Sequence, residues 1–353
     1  MPVPARAASY RSALIAVLAL LPLMGGSHPQ DHSPAGNPSY VPHEPLPEAP
    51  PPPLPAKLSY RLREHVDSLA HAGGHRSRVV FTPGNDYAVD YVLRQMRRIV
   101  PGAYADTFRV ERRGRRESHP LVNPTAILPG RSDTVLVICA HIDASASRDG
   151  GWGGNWSRMR APGADDNATG VAALLEILSL AAHAPAKPRY TLMFVAANAE
   201  EKNPDYAGAA RRDGHHLGSL HVARRLKNER TPVHGVIVMD MVGWNPRETY
   251  VGLFAAPRAQ WLARNLAALR DRMGLRLDLP STYASCRNSD NESFDRLGIP
   301  AVLFMESCRP WRSEGRMPRN PNYHSGRDLP ATVNYDILLR VTKLVAGYGI
   351  EGF

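Results

Sequence analysis

The residues able to do chemistry in this 353-residue chain fall in five short stretches. They are His141-Ile142-Asp143, the turn Gly163-Ala-Asp165-Asp166-Asn167-Ala-Thr-Gly170, Glu200-Glu201, Asp240 and Asn322-Tyr323-His324. Imidazoles and carboxylates are standard zinc ligands, and a catalytic zinc keeps one position for water. Two adjacent acids in a glycine turn suit a metal bridge, because one carboxylate can bind an ion through each oxygen. On the residues alone Asp165 and Asp166 compete for that place, and a helix cap is the plainer meaning of such a turn. Glu200 and Glu201 cannot easily serve one ion, since consecutive side chains diverge. One of them can bind while the other is left free to move a proton.

Three of these stretches stand where apolar runs end. Thr134–Ala140 reads as a buried strand and is followed at once by His141. Tyr190–Ala196 leads to Glu200-Glu201, and Gly235–Met239 leads to Asp240. In open α/β sheets ligands gather outside the carboxyl ends of strands. A single charge there marks only a strand emerging into water, whereas His, Glu and Asp from three strands converge on one edge. Ile299–Met305 predicts a further strand. Helical spacing predicts helices over 84–99 (Ala88, Tyr91, Val92, Met96, Ile99), 170–178, 260–270 and 335–348. Asn85 and Asp86 are suitable capping residues for the first of these. Strands alternating with helices predict a single α/β domain, with a central, mostly parallel mixed sheet and helices on both faces.

Taken in order, the five motifs resemble the M28 family of metallopeptidases, the aminopeptidase-type enzymes with co-catalytic zinc. The resemblance covers residues 58–350 and is densest from Val135 to Gly243. It implies a zinc-exopeptidase-like fold and two zinc ions per chain. Asp166, four residues before Gly170, would bridge them. His141 and Asp240 would complete one ion, and Glu201 and His324 the other, with Glu200 as the general base. Asp143, Asp165, Asn167 and Asp290 would support the ligands, and the Asp166–Asn167 peptide corresponds to a frequent non-proline cis bond. Tyr323 would donate to the oxyanion or form an aromatic wall. The chain departs from the pattern in three places: Asn291 stands where the family commonly has His, and 144–161 and 202–216 are long stretches expected to border the active-site mouth. The resemblance implies an exopeptidase acting on peptides, most simply an aminopeptidase. The alternatives are a glutaminyl cyclase (whose members usually have Trp before the last His and one zinc), a carboxypeptidase or dipeptidase, and a binding protein without catalysis.

Composition excludes other classes. The formal charge of +10 is scattered in short groups such as Arg112-Arg113 and Arg211-Arg212, without interleaved aromatics, so a solvated basic surface is expected and no nucleic-acid partner. Arg6 and Arg11, the apolar run Ala13–Leu21 and Gly25-Gly26-Ser27 predict a signal peptide over 1–26, with secretion or periplasmic export and no stable membrane span. Residues 27–57 hold eleven of the 32 prolines and predict a disordered linker, placing the folded domain at 58–353. Of the three cysteines, Cys139 lies in an apolar run as a core residue. Cys286 and Cys308 could form a disulfide, which export permits.

Overall fold

Side chains that alternate across a pleat bury both faces of one sheet. The computed structural model describes residues 57–207, 215–246, 250–279, 286–313 and 318–351. The expected signal peptide and nearly all of the proline-rich segment lie outside these residues. The strands are β1 (Tyr104–Val110), β2 (His119–Leu128), β3 (Ser132–His141), β4 (Tyr190–Ala197), β5 (Val233–Met239), β6 (Gly252–Ala255) and β7 (Ala301–Met305). They form one seven-stranded sheet in the order β1-β2-β4-β3-β5-β7-β6. β4, β3, β5 and β7 run parallel, while β1, β2 and β6 pair antiparallel at the two sides. The helices are α1 (Leu58–His71), α2 (Pro83–Ile99), the short α3 (Trp152–Asn155), α4 (Gly170–Ala182), α5 (Leu217–Asn228), α6 (Gln260–Arg272), α7 (Asn291–Arg296) and α8 (Tyr335–Glu351).

Leu136, Ile138, Phe194, Ile237 and Phe304 face α1, α2, α4, α6 and α8. Their strand neighbours Val137, Cys139, Val195, Val238 and Leu303 face α5 and α7. Two covered faces explain why β3, β4 and β5 read as continuous apolar runs. α4 lies deepest in the helical layer, and its charged residue Glu176 is held by Arg61 at 2.7 Å and His65 at 3.2 Å, both from α1. Among the described residues no helix is long and apolar enough to cross a membrane.

Two sequence expectations change. The chain after residue 100 first forms the β1–β2 hairpin. Pro120 and Pro124 in β2 argue against a strand, because proline cannot donate to a ladder. They are accommodated because β4 pairs with β2 only from Thr125 to Leu128. Second, α2 begins at Pro83, with Thr82 in the capping position and no side-chain cap. Proline suits the first helical position, where its missing N–H would be unpaired anyway. Asn85 therefore lies inside the first turn, where its Nδ2 donates to Arg78 O and Asn198 Oδ1, each at 3.1 Å.

Candidate metal centre

β4, β3 and β5 are neighbours and parallel, so Glu200-Glu201, His141 and Asp240 emerge side by side from their carboxyl ends. His141 Nδ1–H donates to the backbone oxygen of Asp143 at 3.2 Å. Its Nε2 then faces Asp166 Oδ1 and Asp240 Oδ1, both at 3.2 Å. The other Asp166 oxygen, Oδ2, is 3.2 Å from His324 Nε2, which is also 2.8 Å from Glu201 Oε1. Asp166 thus stands between the two imidazoles. Among the described residues three groups of side chains are close enough to hold an ion: His141, Asp166 and Asp240; Asp166, Glu201 and His324; and His215, His216 and Glu292.

The first two groups fit divalent zinc. Asp166, Glu200, Glu201 and Asp240 are all buried, with His141 and His324 interleaved. Gathering buried carboxylates without cations is costly, and nitrogen and oxygen donors in this mixture suit zinc. Electrostatics point the same way. Burial works against a charged His324, but Glu201 and Asp166 raise its pKa to about 10. Burial works against ionised Asp166 too, yet His141 and His324 hold its pKa below the usual carboxylate range.

The supporting residues act differently from the simplest reading. The Asp143 carboxylate lies 3.7 Å from His141 Nδ1, and only its backbone oxygen is in hydrogen-bond range of the ring. Its carboxylate accepts the N–H groups of Glu200 at 3.1 Å and Glu201 at 3.0 Å, locking β3 to the strand end that carries both glutamates. Asp165 faces away from the imidazoles and accepts the Gly243 N–H at 2.8 Å. Asn167 joins the start of α4 to the end of β5, accepting from Gly170 N and donating to Met239 O, both at 2.9 Å. The Asp166–Asn167 peptide is cis. Asp290 is fully buried near the Cys139 thiol at 3.9 Å, and Asn291 donates to Cys286 O instead of reaching the ligands. Tyr323 stacks on His324 with ring centroids 3.7 Å apart. Burial and then Glu201 push its phenol pKa well above the ordinary value, so it stays protonated and able to donate. Cys286 and Cys308 are joined in a disulfide, and Cys139 is free and buried.

Four functional neighbours were missed by sequence reasoning. Glu306 follows β7 just as Asp240 follows β5, so the same signal could have found it. It is buried and accepts from Asn320 Nδ2 at 2.9 Å. Asp328 accepts the N–H groups of Asp165 and Asp166 at 2.9 Å each. Arg78, between α1 and α2, reaches the carbonyls of Ile142 and Gly163 at 2.9 and 2.8 Å. Gly163 is required there: its φ is +56°, and a Cβ would meet Asp166 O at 2.3 Å. His216 places Nε2 2.8 Å from Glu200 Oε1. Both long stretches reach the site, since Ser147 Oγ also lies 2.9 Å from His324 Nδ1.

The profile of peptidase family M28 matches residues 123–349. The chain belongs to this family. A "probable leucine aminopeptidase" from Trichophyton verrucosum is 25% identical over 265 residues, covering 75% of this M28 chain and 66% of that protein. The chain thus spans just under two thirds of that relative's length. Two solved structures share the fold. One is a zinc-dependent exopeptidase from Parabacteroides distasonis (TM-score 0.66, 19% identity, covering 84% of this chain and 98% of that one). The other is a glutaminyl cyclase from an Acidobacteriales bacterium (TM-score 0.67, 16% identity, covering 87% and 97%). At such identities the likeness is one of fold.

Proposed function

We propose that this M28 chain is an exported aminopeptidase that removes N-terminal residues from peptides with two zinc ions. The carrying observation is that two His–carboxylate groups share Asp166 while Glu200 stays outside both. In this reading His141, Asp166 and Asp240 hold one ion, and Asp166, Glu201 and His324 the other. When bound, a zinc pair polarises the scissile carbonyl and acidifies water. Glu200 takes the proton from the attacking water and returns it to the leaving amine. In the metal-free protein, burial first and then its neighbours Glu201, Asp240 and Asp290 push the Glu200 pKa well above the ordinary value against the pull of His141. Asp143 fixes the backbone of both glutamates, and the protonated Tyr323 is available to the developing oxyanion. Arg6, Arg11 and the apolar run after them support export.

The test is cleavage of a mixed peptide set, free and N-blocked, by zinc-loaded protein and its Glu200→Gln variant. Release of N-terminal residues from free peptides only, lost in the variant, is expected. Cleavage of blocked peptides would refute a strict aminopeptidase. Glutaminyl cyclisation is the second reading, and conversion of N-terminal glutaminyl peptides to pyroglutamyl products without hydrolysis would establish it instead. Tyr323 in place of the usual Trp favours hydrolysis.

A further inference from the structure

Of the four neighbours that sequence reasoning missed, His216 is the one whose side chain touches Glu200. It closes the 202–216 stretch and is 5% exposed. Three successive backbone hydrogen bonds seat it against the strand end that carries the glutamates. His216 N–H donates to Glu200 O at 2.9 Å, Leu217 N–H to Ala199 O at 2.8 Å and Gly218 N–H to Asn198 O at 3.0 Å. The approach is so close that a Cβ on Gly218 would lie 2.3 Å from Asn198 O. The hydroxyls of Ser219 and Ser293 donate to the His216 carbonyl at 3.2 and 3.3 Å. His216 holds φ +56°, a region that non-glycine residues rarely occupy. In this setting Nε2 meets Glu200 Oε1 at 2.8 Å, and Nδ1 looks toward Glu292 Oε2 of α7 at 3.7 Å.

We propose that His216 is the positioning residue of the general base, its Nε2–H holding the Glu200 carboxylate in one rotamer beside the metal ligands. The inference rests on Glu200 being that base. A glutamate has three side-chain torsions, and none of the ligand contacts involves Glu200, so an anchored donor is what keeps its carboxylate aimed. Displacement of a reacting group by about 1 Å can cost about a hundredfold in rate. The donor comes from the end of the 202–216 stretch, where this chain departs from the family pattern.

The test uses the full zinc-loaded chain. His216→Phe fills the space without a donor, and His216→Gln keeps an N–H. The phenylalanine variant is expected to lose about 10- to 100-fold in kcat with KM and zinc content nearly unchanged, and the glutamine variant to recover most of the loss. If the phenylalanine variant does not fold, His216→Met is read in the same way. Unimpaired kcat in His216→Phe beside an inactive, zinc-replete Glu200→Gln would overturn this inference alone. An active Glu200→Gln would overturn the assignment of the base and this inference with it. Equal loss in both His216 variants, with lowered stability, would mean a purely structural role. One zinc fewer in His216→Phe than in wild type would mean that His216 binds metal with His215 and Glu292, and would also overturn it.

Discussion

Replacing Arg78 by Met removes donors from the point where the metal loops meet the first helices. Arg78 is fully buried, and its Nε donates to Ile142 O at 2.9 Å. Its Nη1 donates to Leu69 O at 3.2 Å and to Pro162 O, and Nη2 to Gly163 O at 2.8 Å. Methionine fills much of the same space but offers nothing to these four carbonyls. Gly163 O keeps the Ala168 N–H and Leu69 O keeps the Ala72 N–H, so Ile142 O and Pro162 O are the two acceptors left unsatisfied. At about 1–3 kcal/mol each, the loss has a ceiling of about 2–6 kcal/mol. The native arrangement also carries a burial cost, which pulls the Arg78 pKa down to about 10 against Asp328, Asp166 and Asp143. Removing the guanidinium recovers part of that cost. We therefore expect a loss below that ceiling, about 2–4 kcal/mol. This is a large share of a total stability of about 5–15 kcal/mol. Urea unfolding of the metal-free protein measures it. Arg78→Lys should restore only a fraction, because an ammonium cannot reproduce the guanidinium fork. A change below about 1 kcal/mol in Arg78→Met would refute the reasoning, since stray surface substitutions alone stay near that size.

Other outcomes follow from the same geometry. In the metal-free protein the raised pKa of His324 contributes stability that is fully present below 6.5 and lost as pH rises toward about 10. Thermal midpoints of chelator-stripped protein should fall across that window from this cause. Zinc must displace the same proton, so its apparent affinity should rise with pH, and flat affinity in calorimetry would contradict this. Reducing the Cys286–Cys308 bond, with its separation of 22 residues, should cost about 3 kcal/mol, read as an earlier urea midpoint.

How much was legible depends on how locally each role is encoded. His141 and Asp240 stand directly after apolar strands, so the run itself points to them. Asp166 against Asp165 was settled on the sequence only by the resemblance, through its distance from Gly170. In space the two differ: Asp165 turns to Gly243 while Asp166 meets both imidazoles. Arg78 and Asp328 could not be read, since their partners lie 64 and 163 residues away and are backbone groups without a sequence signature. The β1–β2 hairpin was hidden by two prolines that are tolerated only because of where β4 stops pairing. His216 was noticed only as the end of an insertion, and nothing in its neighbours announces a left-handed residue folded onto Glu200.

Bridging of two zinc ions by Asp166 is the core of the proposed function. Anomalous diffraction at the zinc edge from crystals of zinc-loaded protein tests it most directly. Two zinc peaks flanking the Asp166 carboxylate are expected, about 3.5–4 Å apart, one beside His141 and Asp240 and the other beside Glu201 and His324. A single peak, or zinc bound away from Asp166, would contradict it.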